Sequence, residues 1–299
     1  MYATNTKYPI ICSPMNGVSD VNLAISCYRA GILPSLVLIE HNYSIDNIFD
    51  ISMFEADLVD YCSQTDNGPI LIACDVSTLA RQDVFNVLTK YNVPFVEIIN
   101  IEAHNIKEVY SLYNKAKTYN IIVTPKINTG FDSVKKICER IGMIDCLTIK
   151  GPNGAGRGID YIVLEDEVSK IRDAYPSMTI IASGGINTSQ DIKRMLAAGA
   201  NIVSIGTVFS VCEESKVSLV TKQKLIEASY NDIERLTKGA KQNALVFSSM
   251  AENDTNNTVG LINGISAGIE GHIYAGTGID YIHKIESIQD IVSRLVVDL

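Results

Sequence analysis

Two short glycine loops contain the residues of this chain whose types and spacing best suit a chemical role. Ser183-Gly184-Gly185 directly follows one apolar run, and Gly206-Thr207 directly follows the next. Both loops lead into segments with helical character, so backbone N–H groups and positive helix ends could converge on one phosphate group. Small residues suit such loops because a larger side chain would block the close approach of a ligand. The alternative is that both loops are tight turns without a ligand.

The elements that position these loops are short apolar runs that alternate regularly with longer amphipathic runs, a pattern typical of βα units and a parallel sheet. Strands are predicted near 9–12, 35–39, 69–73, 94–99, 121–127, 144–149, 179–182 and 202–205. Helices are predicted near 20–30, 46–63, 78–91, 104–119, 132–141, 163–175 and 188–198. The glycine loops then follow strands seven and eight, where (β/α)₈ barrels often bind phosphate.

The predicted strands are mostly apolar and show no alternation of polar and apolar residues, so both faces of the sheet must be covered. An α/β fold of the (β/α)₈ TIM-barrel type therefore fits better than an antiparallel sandwich, and an open doubly wound sheet is the alternative. Residues 1–215 would form the barrel core, and 216–299 would form a C-terminal helical and loop extension that packs on the barrel in the same domain. Within the extension, the sequence predicts helical structure over 216–250, a polar loop over 251–258 and a last helix over 286–297.

The composition argues against several classes of protein. A net charge of −9 and a pI near 5.0 provide no basic surface for nucleic acid. No apolar run reaches the length of a membrane span, and the first residues lack the features of a secretion signal, so we expect a cytoplasmic protein. The seven cysteines have no C-x-x-C spacing and no zinc-type pairing with histidine, which favours buried, reduced thiols and no metal site.

Three stretches of the sequence resemble a known family. IIASGGINTSQDIKRMLAAGANIVSIGTVF resembles the phosphate-binding segment of flavin- and nucleotide-binding barrels. YPIICSPMNGVSDVNLAISCYRAGILPSL resembles the opening of the family of nitronate monooxygenases (2-nitropropane dioxygenases) and flavin enoyl-ACP reductases, and HIYAGTGIDYIHKIESIQDIVSRL resembles its ending. A further glycine loop, GPNGAGRG, follows strand six. The order of these motifs implies an FMN-binding TIM-barrel oxidoreductase.

The resemblance also implies which residues would hold the cofactor. The loop after strand one would contact the isoalloxazine ring, the two glycine loops would bind the phosphate, and an Ala-Gly pair of the extension would reach the edge of the flavin. Lys126 would lie near the pyrimidine end of the ring, where a cation stabilises negative charge on the reduced flavin. The alternatives are a surface position for Lys126 and a strand-end turn with a core methionine for the first loop. The full implied set is Pro14, Met15, Asn16, Gly17, Lys126, Lys150, Gly151, Ser183, Gly184, Gly185, Gly206, Thr207, Ala275 and Gly276.

One departure from the family pattern concerns the catalytic histidine. The family carries Gly-x-Glu-Ala-Gly-Gly-His after strand six, and here Arg157 stands where the histidine would be. Arginine does not accept a proton at neutral pH, so general-base catalysis by this residue is not expected. Arg157 could clamp a carboxylate or phosphate of the substrate, or it could pair with Asp160 or Glu165 and hold its loop. His41 after strand two and His104 after strand four are the other catalytic candidates, although either could be an ordinary hydrogen-bonding residue.

The main hypothesis is an FMN-dependent oxidoreductase that resembles nitronate monooxygenases. A small substrate would stack on the flavin, and this substrate could be an anion. Either O2 or NAD(P)H would be the second substrate. No nucleic-acid or membrane partner is expected. A homodimer is one of the assembly states that the sequence leaves open. Asp75 after strand three and His272 in the extension are further candidate site residues. Two alternatives remain: a non-redox lyase or isomerase with a phosphorylated substrate, and a catalytically silent flavin-binding protein.

Overall fold

Eight parallel strands form the centre of the described structure. The computed structural model describes residues 5–39, 44–45, 48–99, 101, 106–142, 144–157, 162–236, 242–247, 258–268, 271–297 and 299. Every predicted strand is present, and no boundary differs from the prediction by more than two residues. The strands are β1 (Ile10–Cys12), β2 (Ser35–Leu38), β3 (Leu71–Cys74), β4 (Phe95–Ile98), β5 (Ile122–Ile127), β6 (Cys146–Lys150), β7 (Thr179–Ser183) and β8 (Ile202–Ile205).

The sheet closes on itself between its first and second strands. Hydrogen-bonded neighbours follow the order β1-β8-β7-β6-β5-β4-β3-β2, and all of these pairs are parallel. A parallel bridge joins Ile11 to Leu33, with the Cys12 amide donating to the Leu33 carbonyl over 2.9 Å and the Leu33 amide donating to the Ile10 carbonyl over 2.8 Å. The fold is therefore a (β/α)₈ barrel, as predicted, and not an open sheet.

Alternate residues of each strand face the inside of the barrel. Side chains from β1, β3, β4, β6, β7 and β8 form a small apolar cluster that is separate from the main core. Residues from strands on opposite sides, such as Leu71 of β3 and Ile181 of β7, share this cluster, so it lies within the barrel. Because side chains alternate along a strand, later residues on the same face also point inward. These are Asp75, two residues after Ala73; Lys126, four residues after Ile122; and Lys150, four residues after Cys146. These later positions lie at the carboxyl-terminal mouth.

Helices connect the strands and cover the outside of the barrel. The predicted helix over 78–91 is split at Arg81, whose backbone is extended, and the one predicted to begin at 46 begins at Ile51 because residues 48–49 form a short strand. No helix among the residues described here is both long and apolar enough to span a bilayer. The helices are α1 (Val21–Arg29), α2 (Ile51–Thr65), α3 (Val76–Ala80), α4 (Gln82–Lys90), α5 (Ile106–Thr118), α6 (Phe131–Ile141), α7 (Leu164–Ala174) and α8 (Ser189–Ala197).

The chain after β8 contains a second sheet, which the sequence did not predict. The helix predicted over 216–250 is wrong at 234–236 and 242–247, which are strands. Among the described residues of this range, α-helix is present at 219–227 alone. That helix ends where Ala228 turns extended, and Ser229 and Asp232 then exchange hydrogen bonds in a 3₁₀ turn. The elements of this region are α9 (Thr207–Ser210), α10 (Leu219–Glu227), β9 (Glu234–Leu236), β10 (Gln242–Phe247), α11 (Thr258–Ser266), β11 (Gly271–Tyr274), the 3₁₀ helix Thr277–Tyr281 and α12 (Ile288–Leu295).

The second sheet is attached to the barrel through the loop after β6. Strands β9, β10 and β11 are antiparallel, and the two-residue strand Gly156–Arg157 pairs with the start of β10. Helix α12 then contacts α1 and α8, so it occupies the position of the eighth barrel helix. The second sheet is consequently an insertion between β8 and its helix.

All seven cysteines are free thiols. Five are buried, as predicted, and Cys62 and Cys138 are half-buried. Burial raises the pKa of the Cys146 thiol, inside the barrel, to about 12, which disfavours the reactive thiolate form.

We expect the N-terminus of α8 to depend on its capping residue. The Thr188 hydroxyl accepts from the Asp191 amide at 3.1 Å, and the Asp191 carboxylate accepts from the Thr188 amide at 3.1 Å. Thr188→Ala should therefore lower the free energy of unfolding by about 1 kcal/mol, measured as a lower thermal midpoint. Gln190→Ala, at an exposed position two residues later, is the control. Equal midpoints for the two variants would contradict this prediction.

Candidate functional site

A cavity of about 420 Å³ opens at the carboxyl-terminal mouth of the barrel. Its volume lies within the range of sites for small molecules and cofactors. Side chains from β3, β5, β6, β7 and β8, or from the loops that follow them, reach this cavity. Of the fourteen cofactor-binding residues expected from the sequence, ten line it: Pro14, Met15, Asn16, Lys126, Lys150, Ser183, Gly184, Gly185, Gly206 and Thr207.

The glycine loop after β7 is packed too closely to accept a side chain. Gly184 has a φ of +93°, and a Cβ atom at this position would lie 2.8 Å from the Gly151 carbonyl oxygen. Gly151 itself donates its amide to the Ser183 carbonyl over 2.9 Å, which joins the loops after β6 and β7. The backbone of this segment is therefore held at the wall of the cavity with no side chain in front of it.

The loop after β8 presents a helix start to the same cavity. Helix α9 begins after Gly206, and because glycine has no side chain, this residue cannot cap the helix. The start of α8, by contrast, is capped by the Thr188 side chain. The Thr207 hydroxyl accepts from the Gly276 amide at 3.2 Å, which connects this loop to the chain after β11. The first amides of α9 thus have no capping side chain within the described contacts, and such amides suit an anion.

The loop after β1 closes another side of the cavity. Its shape is fixed by two hydrogen bonds, because the Met15 amide donates to the Ser19 hydroxyl at 2.9 Å and the Ser19 amide donates to the Met15 carbonyl at 2.8 Å. Pro14, Met15 and Asn16 line the cavity, and Gly17 lies behind them against Ile265 of α11. A partly apolar surface of this kind suits the face of a flat ring.

Two lysines from adjacent strands reach the cavity. The Lys126 ammonium donates to the Glu97 carboxylate at 2.9 Å, and its side chain is 13% exposed, so the alternative of a surface lysine is wrong. Lys150 is buried and donates to the Ala155 carbonyl in the loop after β6. The mouth of the barrel therefore holds one lysine paired with a carboxylate and one that contacts a backbone oxygen.

The second sheet holds the loop after β6 from outside. The buried Asn243 amide of β10 donates to the carbonyls of Pro152 at 2.8 Å and Gly154 at 2.9 Å. The Thr277 amide donates to the Asn153 carbonyl at 3.0 Å. Residues 153–156 line the cavity, so the wall that they form depends on contacts with the extension.

Several sequence-predicted residues lie near the cavity without lining it. Gly151 lies beneath the β7 loop, and Ala275 and Gly276 lie behind the β6 loop, where Gly276 packs against Asn153. Tyr274, directly before them, lines the cavity instead. His41 and His104 lie outside the described residues, as does Asp160, and of Arg157 only the backbone pairing with Gln242 is described.

His272 is completely buried in the second sheet. It lies on β11 opposite Val246, and its ring packs edge-on against Tyr274 with 5.2 Å between the ring centroids. Neither ring nitrogen has a hydrogen-bond partner within the described structure. Burial lowers the pKa of His272, so the imidazole is neutral at neutral pH.

Sequence reasoning missed Glu97 and Asn243. Glu97 is a single carboxylate in the otherwise apolar run PFVEII, and this isolated charge in a strand was a usable signal. Asn243 fell within the wrongly predicted helix, so no signal marked its function. Asp75 was considered as a carboxylate, and it lines the cavity while its side chain caps α3 by accepting from the Thr78 amide at 2.7 Å.

Comparison with known proteins identifies relatives of this chain. A sequence model of the family described as nitronate monooxygenase matches residues 80–298. A probable nitronate monooxygenase of Bacillus subtilis is 30% identical over 128 residues, which cover 40% of this chain and only 36% of that protein. FabK from Thermotoga maritima has a TM-score of 0.80 at 20% identity, over 98% of this chain and 93% of FabK. A nitroalkane oxidase from Streptomyces ansochromogenes has a TM-score of 0.74 at 18% identity, over 98% and 96% of the two chains. These two structural similarities support the barrel fold.

The buried His272 gives a testable dependence of stability on pH. Since the pKa of His272 is lower in the folded chain than the usual value of about 6.5, the unfolded chain binds more protons below that pH. Stability should therefore fall as the pH drops from about 7.5 to about 5.5. His272→Phe should lose less of its thermal midpoint over this interval than the unmodified chain. His283→Gln, at an exposed position, should behave like the unmodified chain, and an equal loss in all three would refute the assignment.

Proposed function

The chain belongs to the nitronate monooxygenase family, and on this premise we propose that it is an FMN-dependent oxidoreductase whose cofactor binds in the cavity at the barrel mouth. The observation that carries the proposal is the convergence of the β7 and β8 glycine loops on that cavity, next to the β1 loop. These loops come from three strands that are neighbours in the barrel. One bound molecule could therefore contact all three.

The phosphate end of FMN fits the two glycine loops. The backbone around Gly184 is held at the cavity wall by the β6 loop, and the α9 amides after Gly206 have no side-chain cap. Amides at the start of a helix that have no intrahelical partner are common partners of a phosphate group. Ser183, Gly185 and Thr207 complete this part of the proposed site.

The ring of the flavin would lie against the β1 loop, with Pro14, Met15, Asn16 and Gly17 on that side. Lys126 would donate to the pyrimidine end of the ring, and Lys150 with Gly151 would support the opposite wall. Ala275 and Gly276 would act from behind the β6 loop, by holding the wall that faces the ring edge. When bound, the flavin supplies hydride and electron transfer, which the amino acids of this chain do not provide.

The substrate is proposed to be a small anion, such as an alkyl nitronate, bound over the exposed face of the ring. Arg157, on the two-residue strand that pairs with β10, would clamp its negative charge, and His41 or His104 would exchange a proton with it. O2 would accept the electrons and reoxidise the flavin. NAD(P)H, the alternative second substrate, is a hydride donor and would instead reduce it. Because Arg157 stands where the family has a histidine, the proposed role of the loop after β6 is to recognise charge and not to abstract a proton.

The cofactor is tested first by the absorbance spectrum of the purified chain after incubation with FMN. We expect the near-ultraviolet and blue bands of a bound oxidised flavin, and bleaching of these bands when an alkyl nitronate is added without oxygen. Absence of bound flavin would refute the proposal in favour of a non-redox enzyme. Bound flavin that no candidate substrate reduces would indicate a flavin-binding protein without this activity.

Gly184→Ala should reduce FMN affinity by about tenfold or more, which corresponds to at least about 1.4 kcal/mol. The new Cβ atom would lie 2.8 Å from the Gly151 carbonyl and would also strain a backbone with a φ of +93°. Fluorescence titration with FMN measures the change. Gly142→Ala is the matched control, because Gly142 also has a positive φ, +81°, but has no atom within 4 Å of the added Cβ. Equal affinities for the two variants would contradict the phosphate site.

Arg157→Ala should raise the KM for an alkyl nitronate by roughly 10-fold to 100-fold, since a hydrogen bond to a charged group contributes about 1.5–3 kcal/mol. Steady-state kinetics measure this change, and Arg157→Lys should recover part of the loss because it restores the charge without the planar guanidinium. Arg140→Ala, at an exposed position on α6, is the control. Unchanged KM and kcat in Arg157→Ala would refute the clamp.

A further inference from the structure

A buried carboxylate lies inside the barrel, directly below the cavity. Glu97 is on β4, between the inward-facing Phe95 and Ile99, and is 1% exposed. Branched aliphatic side chains usually fill this part of a (β/α)₈ barrel. A carboxylate in such surroundings is strongly unfavourable unless it is paired and hydrogen-bonded. The position of Glu97 therefore requires an explanation.

Both carboxylate oxygens of Glu97 are engaged by neighbouring strands. Oε1 accepts from the Lys126 ammonium of β5 at 2.9 Å, and Oε2 accepts from the Thr148 hydroxyl of β6 at 2.7 Å. The Thr148 hydroxyl lies 3.4 Å from the Thr124 hydroxyl of β5, so the polar cluster occupies three adjacent strands. This arrangement leaves the carboxylate little freedom to move, and it fixes the end of the lysine side chain.

The ion pair joins the interior of the barrel to the cavity. Lys126 lines the cavity, whereas Glu97 does not, so a molecule in the cavity would meet the ammonium group with the carboxylate behind it. At short range in a protein interior, the field of a charge is weakened by an opposite charge at hydrogen-bond distance. The carboxylate of Glu97 therefore weakens the positive electrostatic field that Lys126 exerts in the cavity.

We propose, on the basis of the FMN site proposed above, that Glu97 is a positioning residue that holds the Lys126 ammonium at the flavin and sets how strongly it favours the reduced cofactor. Reduction adds negative charge to the flavin, which a nearby cation stabilises. Because Glu97 offsets part of that cation, the reduction potential is lower than an unpaired lysine would make it. The pair thus tunes the cofactor as well as filling the barrel.

Stability alone does not account for this pair. Replacement of a buried ion pair by apolar residues of similar volume is often neutral or stabilising, so a barrel has no need of one to fold. A purely structural pair would also have no reason to expose one partner to the cavity. A structural role predicts changes in unfolding and an unchanged reduction potential, which separates the two explanations.

The test measures the reduction potential of bound FMN, by equilibrium with a reference dye, in the full chain and in variants. In Glu97→Gln the lysine loses its counter-charge, so the potential should shift to a more positive value, with reduced FMN bound about tenfold more tightly relative to oxidised FMN. Lys126→Met should shift the potential in the negative direction. The double variant should lie between the two single variants.

Glu55→Gln is the matched control, because Glu55 also pairs with a lysine, Lys90, at 2.6 Å, but on the outer helices, where the lysine is exposed and the glutamate half-buried. Its potential should equal that of the unmodified chain. If Glu97→Gln does not fold, Glu97→Asp keeps the charge but withdraws it by one methylene group, and a smaller positive shift is expected.

Three results would overturn the inference. A potential unchanged in both Glu97 variants, while Lys126→Met shifts it, would refute the influence of Glu97 but leave the FMN site standing. Unchanged potentials in all variants would assign the pair a structural role. An unmodified chain that binds no FMN would refute the proposed function, and this inference with it.

Discussion

Closure of the sheet between β1 and β2 is the constraint on which the rest of the structure depends. The hydrogen bonds that join Cys12 and Ile10 to Leu33 turn an eight-stranded sheet into a barrel with an inside and an outside. Once the barrel is closed, alternate residues of every strand must face the interior. The last inward residues therefore meet at one mouth, although they are far apart in the sequence.

The interior changes in character along the barrel axis. Aliphatic and aromatic side chains fill the end near the strand starts, the Glu97 cluster follows, and the cavity with its two lysines is at the mouth. This order keeps charged groups out of the end of the barrel where the strands start. The second sheet then completes the mouth, because Asn243 fixes the β6 loop through two backbone carbonyls. The site accordingly depends on both the barrel and the inserted sheet.

The sequence was sufficient to predict features that depend on local patterns. Strand runs without polar alternation predicted a sheet covered on both faces, and the glycine loops marked the ends of β7 and β8 by residue type alone. The second sheet was not predictable in this way, since QNALVF can read as part of a helix or as a strand. Its central strand, β10, is stabilised by pairing with residues about 30 and 85 positions away, on β11 and after β6. Such pairing leaves no local signal.

The pair of Glu97 and Lys126 illustrates the same limit within the site. Each residue was visible as a charge in an apolar strand, but their contact depends on the register between β4 and β5, where Glu97 is level with Thr124 and Lys126 lies one inward position further on. The register also decides which group faces the cavity. A lysine one inward position nearer the strand start would be sealed in the barrel, and a glutamate one position later would expose its carboxylate at the mouth. The register between the strands therefore decides whether a positive or a negative group lines the cavity. For this reason the family resemblance could suggest a cation at Lys126 but not its buried partner.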